Sequence, residues 1–280
     1  MIQHPVGRGR ALALASLALV LAALAGGCRP ETTGPELEPL VLVWQDEFDG
    51  PAGQPPDAAS WRYDIGTDWG NAQLEYDTDR PENVSLAGLG HLTIVAREEA
   101  YLGCAYTSAR INTRDRFEQA RGRFEARIRL PSGQGLWPAF WLLGNDLGTV
   151  GWPACGEIDV MEYRGQEPTV VHGSLHGPGY SGGEALTSRY ELVRGAFDTD
   201  FHVFAVEWEA DRITWLVDGV VFKTVRPADL PPGTRWVFDH PFFVILNVAV
   251  GGTFVGPPGP DTTFPQTMTV DYVRVYAAVP

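Results

Sequence analysis

The chain has 280 residues, 44% of them hydrophobic, with a formal net charge of −14 and an isoelectric point near 4.8. Such a length and apolar content suit one large domain with a sizeable core. The acidic balance excludes a nucleic-acid partner, because a phosphate backbone needs a basic surface to displace its counterions.

In chain order, Arg8 and Arg10 precede an apolar stretch from Ala11 to Ala25, and residues 1–27 read as an export signal too short to be a spanning helix. Two endings compete. Ala23, Leu24 and Ala25 form a small-residue cleavage site, whereas AGGC ending at Cys28 resembles a bacterial lipoprotein box with Ala where Leu is usual. Lipidation of Cys28, holding the protein at the cell envelope, is the preferred reading; plain secretion is the alternative. Residues 28–39 are rich in Pro, Glu and Thr, which describes a solvated tether. A single domain is expected over residues 40–280, without internal repeats.

From Leu40 onward, short runs alternate apolar and polar residues between Gly and Pro, of which the chain has 32 and 22. In FEARIRL, Phe124, Ala126, Ile128 and Leu130 share one face of a strand, and HLTIVAR repeats the period. ITWLVDGVVFKTV reads as a hairpin turning at Asp218 and Gly219, residues suited to positive φ. FFVILNVAV, apolar on both faces except for Asn247, is expected to be an interior strand whose amide reaches a cleft, and MTVDYVRVY closes the domain. No sustained helical period occurs, so the expected fold is all-β, two packed antiparallel sheets, with loops such as Asp46 to Asp68 walling a cleft.

The segment GEIDVMEY, Gly156 to Tyr163, sets Glu157, Asp159 and Glu162 in an apolar, β-prone run. On a regular strand Glu157 and Asp159 share a face and Glu162 points the other way. A bulge at Val160 and Met161 would bring Glu162 back to the acidic face. Two carboxyls then converge with a third between them, an arrangement suited to glycoside hydrolysis, in which mutual repulsion keeps one carboxyl protonated as the acid. The ordinary alternative is a solvated acidic strand, disfavoured by the hydrophobic residues filling the positions between.

Nine Trp, nine Tyr and thirteen Phe supply aromatic faces able to pack on sugar rings, so a neutral polysaccharide suits this chain as partner. Trp137 and Trp141, four apart on a strand, share a face and form a candidate platform; Trp152 precedes the acidic strand. Arg110 sits among small and apolar residues, where a cation needs carboxylates or hydroxyls, and is expected to point into the cleft. His176 is a lone histidine, by default a structural group. Apart from Cys28, Cys104 and Cys155 remain; a bridge between neighbouring strands is one reading and buried free thiols the default. No His and Cys spacing suggests zinc.

WPACGEIDVMEY resembles the signature of glycoside hydrolase family 16 in its bulged form. GNAQLEYDT, YTSARINT, LWPAFWLL and HGPGYSGG resemble its laminarinase-like branch, the endo-β-1,3-glucanases. The resemblance implies a concanavalin A-like β-jelly-roll sandwich with a concave, substrate-holding face. It implies Glu157 as nucleophile, Asp159 as its helper and Glu162 as general acid/base, with hydrolysis of laminarin-like glucan and retention of configuration. Asn71, Arg110, Trp137, Trp141, Trp152 and His176 become substrate-binding candidates, whereas Asp77 and Phe254 stand where the family more often has an aromatic and a Trp. No cofactor is required for catalysis. A structural calcium ion is common in the family; Asp271 is the matching acid, with Glu47 and Gly90 as further candidates. A monomer is expected. The rival readings are the same mechanism on mixed-linkage β-1,3-1,4-glucan or a galactan, and a non-catalytic glucan-binding module, which would tend to lack a glutamate that this chain retains.

Overall fold

A computed structural model of the chain describes residues 40–278. The export segment at 1–27, the tether at 28–39 and Cys28 lie outside the described residues.

Alternating runs become strands, and the strands form two sheets. In the seven-stranded sheet the spatial order is Leu186–Glu191, Val170–His176, Glu157–Tyr163, Leu136–Gly144, Phe242–Val250, Arg110–Asn112 and Arg62–Asp64. The ten-stranded sheet runs Val220–Val225, Ile213–Val217, His202–Trp208, Gly122–Arg129, Gln266–Ala278, Leu92–Tyr101, Cys104–Ser108 and Glu75–Asp77. Leu40–Asp46 pairs with Gln266–Ala278, and Val84–Leu86 with Leu92–Tyr101. The architecture is the expected β-jelly-roll sandwich. Neighbouring strands pair antiparallel except Glu75–Asp77, which runs parallel to Cys104–Ser108 and departs from the all-antiparallel expectation.

The core lies between the sheets, as the period-2 patterns require. Phe124, Ala126 and Ile128 are fully buried, as are Leu92, Ile94 and Ala96 of the neighbouring pattern. The opposite face of the ten-stranded sheet carries ion pairs instead, Arg123 with Glu125 and Glu207, and Arg127 with Asp271. All nine residues of Phe242–Val250 are buried, because strands flank them on both sides and a sheet covers one face. The hairpin turns at Asp218 and Gly219, with φ of 50° and 78°, and joins Val217 to Val220. Among the described residues, helical structure is one four-residue α-helix and two 3₁₀ turns.

The segment from Asp46 to Asp68 is not simply a cleft wall. Phe48 and Trp61 are buried in the core, the Trp61 indole donates to Asp46 Oδ2 at 2.7 Å, and Arg62–Asp64 forms the edge of the seven-stranded sheet.

Candidate active site

The site is built on the middle of the seven-stranded sheet by one irregularity. Asp159 lies opposite Trp141 and Ser174, whereas Glu162 lies opposite Ala139 and His172. Three positions along this strand therefore span two on each neighbour, the extra residue of a β-bulge. Parity is restored: Ile158, Val160, Met161 and Tyr163 enter the core, while Glu157, Asp159 and Glu162 face away from it. A bulge leaves backbone groups without ladder partners, and here the Asp159 carbonyl accepts the indole N–H of Trp215 from the opposite sheet at 2.8 Å.

Each acid has its own neighbours. Glu157 Oε2 accepts the Trp152 indole N–H at 3.1 Å, and Glu162 accepts from Trp137 Nε1 at 3.2 Å and from Ser174 Oγ at 3.0 Å. His176 Nε2 stands 2.9 Å from Asp159 Oδ2 and 3.6 Å from Glu157 Oε1. The main-chain N–H of Gly182 donates to His176 Nδ1 at 3.1 Å. Glu157, Asp159 and His176 are near enough to one another to hold a metal ion.

Burial raises the pKa of all three carboxyls, and repulsion from Asp159 adds to the rise at Glu157 and Glu162. Glu162 is pushed up to about 8, against the opposing pull of His176 and the Ser174 and Trp137 hydrogen bonds. The trio therefore retains a proton near neutrality and titrates as a coupled set.

The remaining candidates lie along the same sheet or its rim. Trp141 donates to Asn247 Oδ1 at 2.8 Å, and the Arg110 guanidinium lies between the Trp141 and Trp69 rings, 4.8 Å and 5.2 Å from their centroids. Arg110 Nε is 2.9 Å from Asp64 Oδ2, the carboxylate partner its surroundings demand. The two-indole platform is thus divided in employment: Arg110 covers part of Trp141, and Trp137 packs 5.1 Å from Phe254. Asn71 is exposed with φ of 56°, and its carbonyl accepts the Thr253 N–H at 2.8 Å. Gly252 is needed there, since a Cβ would stand 3.0 Å from the Asn71 carbonyl and 3.3 Å from the Trp137 ring. Trp152 is about half exposed, 6.1 Å from the His176 ring.

Sequence reasoning missed Trp69, Asp64, Ser174, Trp215 and Lys223. Only Lys223 carried a usable signal, being the one lysine in the chain. Glu75 is buried and accepts the Val250 N–H at 2.7 Å.

The calcium candidates come together in part. A Cβ on Gly90 would stand 3.8 Å from the Glu47 carbonyl and 3.6 Å from Asp49 Oδ1. The acid side chains themselves are engaged, Asp271 by Arg127 at 2.5 Å and His91 at 3.5 Å, and Glu47 by two hydrogen bonds from Arg274. Cys104 and Cys155 are free thiols. Cys155 is buried beside Leu143 and Phe243, whereas Cys104 is only half-buried, its sulfur 3.6 Å from Thr67 Oγ1.

A sandwich that aims two glutamates and an aspartate along one sheet face, bordered by indoles, defines the class of carboxyl-based glycoside hydrolases. Residues 64–274 match the glycosyl hydrolases family 16, and the chain belongs to that family. It is 46% identical over 246 residues to a β-glucanase of Rhodothermus marinus, covering 84% of each chain. It is 38% identical over 268 residues to glucan endo-1,3-beta-glucosidase A1 of Niallia circulans, covering 87% of this chain and 39% of that protein. Among solved structures, the laminarinase catalytic domain from Thermotoga maritima MSB8 superposes with a TM-score of 0.81 at 46% identity, covering 87% of this chain and all of that one.

Proposed function

We propose that this family 16 enzyme hydrolyses internal β-1,3 linkages of laminarin-like glucans, with retention of anomeric configuration. The observation that carries the reading is the bulge, which turns Glu157 and Glu162 to one face with Asp159 between them. In the first step Glu157 attacks the anomeric carbon as the glycosidic C–O bond breaks, and Glu162 gives its proton to the departing oxygen. In the second step Glu162 takes a proton from water, whose oxygen attacks the same carbon and releases Glu157. Burial pushes both Glu157 and Glu162 up to about 8, so one of the pair carries the proton at the start of the cycle; the family resemblance gives it to Glu162, and the Trp152 N–H supports the ionised form of Glu157. Catalysis needs no cofactor, since attack and proton transfer are both carboxyl chemistry.

Substrate choice is supported by the β-glucanase and laminarinase relatives, and the neutral glucan suits the acidic surface. Reducing-end release from laminarin, lichenan, agarose and carrageenan tests it, with laminarin expected to be cut fastest; a preference for either galactan would overturn it. Glu157→Gln is expected to lower turnover by at least about four orders of magnitude while glucan affinity persists. Comparable residual activity in that variant would refute the assignment.

The chain is read as exported, with Cys28 lipidated at the envelope; Arg8, Arg10 and AGGC support this. Cys28→Ser is then expected to move the protein from the membrane fraction to the soluble one. A structural calcium ion is supported by the Glu47 carbonyl, the Asp49 carboxylate and the space left by Gly90, with Asp271 joining only by exchanging Arg127. It would serve the fold and not the chemistry, and a melting temperature unmoved by calcium or chelator would dismiss it.

A further inference from the structure

Backbone register and side-chain bonding are offset along the acidic strand. In register, Glu157 lies opposite His176, Asp159 opposite Ser174 and Glu162 opposite His172. The side chains instead meet on the diagonal: His176 stands 2.9 Å from Asp159, and Ser174 donates to Glu162 Oε2 at 3.0 Å, while His172 is left to Glu167 at 3.5 Å. Ser174 therefore serves the acid/base, and it is itself buried. On the edge strand Leu186–Glu191, Thr187 lies directly opposite Ser174, with its Oγ1 2.9 Å from Ser174 Oγ. Thr187 is exposed. A line of two hydroxyls thus joins Glu162, on the third strand, to solvent at the edge of the sheet.

Trp137, the other donor to Glu162, has an indole that can only donate. A hydroxyl can donate or accept, but it holds one proton. With Glu162 ionised, Ser174 gives its proton to the carboxylate, so the proton in the contact between the two hydroxyls comes from Thr187. With Glu162 protonated, the carboxyl O–H can donate to Ser174 Oγ, Ser174 turns its proton to Thr187, and the exposed Thr187 hydroxyl donates to water. The acid/base passes between these two forms twice in each double-displacement cycle.

We propose that Thr187 is a positioning residue of the reaction: acting through Ser174, it completes a reversible hydroxyl chain that keeps Glu162 Oε2 hydrogen-bonded in both protonation states. This rests on the roles assigned to Glu157 and Glu162. A hydrogen bond to a carboxylate is roughly twice as strong as a neutral one, so the chain favours the ionised form on balance, in the same direction as the Ser174 bond itself. The other charged groups acting with Glu162 are Asp159, Glu157 and His176 on its own face and Lys223 from the opposite sheet. On the neighbouring segments Arg164 and His172 are taken by Glu167, and Arg189 by Glu191, whereas Leu136–Gly144 carries no titratable residue.

The test is the pH dependence of kcat/KM on laminarin, measured with the full chain. Thr187→Val keeps the β-branched shape and loses the hydroxyl; it is expected to move the alkaline limb up by about 0.3 pH unit, and Thr187→Ser to leave that limb at its wild-type position. In a Ser174→Ala background the same Val substitution is expected to add nothing, because the link to Glu162 is already cut. An alkaline limb unmoved by Thr187→Val, even with a lower melting temperature, overturns the proposal, and so does a shift of undiminished size in the Ser174→Ala background. Should Thr187→Val fail to fold, Thr187→Ala set against Thr187→Ser makes the same comparison. Failure of the acid assignment would appear separately, as turnover and an alkaline limb retained by Glu162→Gln.

Discussion

Trp215 donates its indole N–H to the main-chain carbonyl of Asp159 at 2.8 Å, across the interface between the two sheets. The contact satisfies a carbonyl at the very place where the bulge interrupts the ladder, so the irregularity that aligns the acids is supported from the opposite sheet. Trp215→Phe keeps most of the ring's bulk and removes the donor. It is expected to destabilise the fold by about 1–3 kcal/mol, read from urea denaturation, and to lower kcat by loosening the alignment of Glu157 and Glu162. Wild-type stability and turnover would mean that the bulge holds without this bond.

Trp137 and Ser174 both donate to Glu162 and both lower its pKa. A donor to the ionised form favours ionisation, so removing one raises the pKa of the acid. Ser174→Ala is therefore expected to move the alkaline limb of the kcat/KM profile upward by a few tenths of a pH unit or more, with little change on the acid limb. A downward shift would contradict the assignment of Glu162 as the proton donor.

Arg110 lies between Trp69 and Trp141 and pairs with Asp64. Arg110→Lys retains the charge but loses the planar group that stacks on both indoles. The expected result is KM raised roughly tenfold with kcat nearly unchanged, the pattern of an interaction made equally in ground and transition states. A fall in kcat at constant KM would move Arg110 into the chemistry.

Glu75 is buried, and its pKa is raised to about 7, chiefly by that burial. A carboxyl whose folded pKa exceeds its unfolded one contributes stability that is complete below the unfolded value, near 4.5, and is lost as pH rises through the folded value. Between pH 4.5 and 8 this loss is about 3 kcal/mol, and Asp77, raised by burial and by Glu75, works in the same direction. Glu75→Gln keeps the acceptor for the Val250 N–H and removes the titration, so the variant's melting temperature is expected to fall less over that range. Parallel curves for variant and wild type would place the pH dependence elsewhere.

Much of the site was legible because its logic is local. Strand parity alone requires a bulge between Asp159 and Glu162 if the three acids are to share a face, and the register shows one there. The hairpin at Asp218 and Gly219 and the interior strand Phe242–Val250 follow from turn chemistry and from apolarity on both faces. Arg110 was readable as a cation in need of a carboxylate, although Asp64 as that carboxylate was not.

The amino-acid order by itself determined the strand periods, the turn, the acid trio and the kink it requires, since each depends on residues a few positions apart. Only the tertiary structure decided what stands behind the trio. Trp215 lies 56 positions from the carbonyl it holds, and Lys223 lies 50 from its Gly173 partner. Both reach the seven-stranded sheet from the ten-stranded one, and packing between sheets leaves no period along the chain by which such partners could be found.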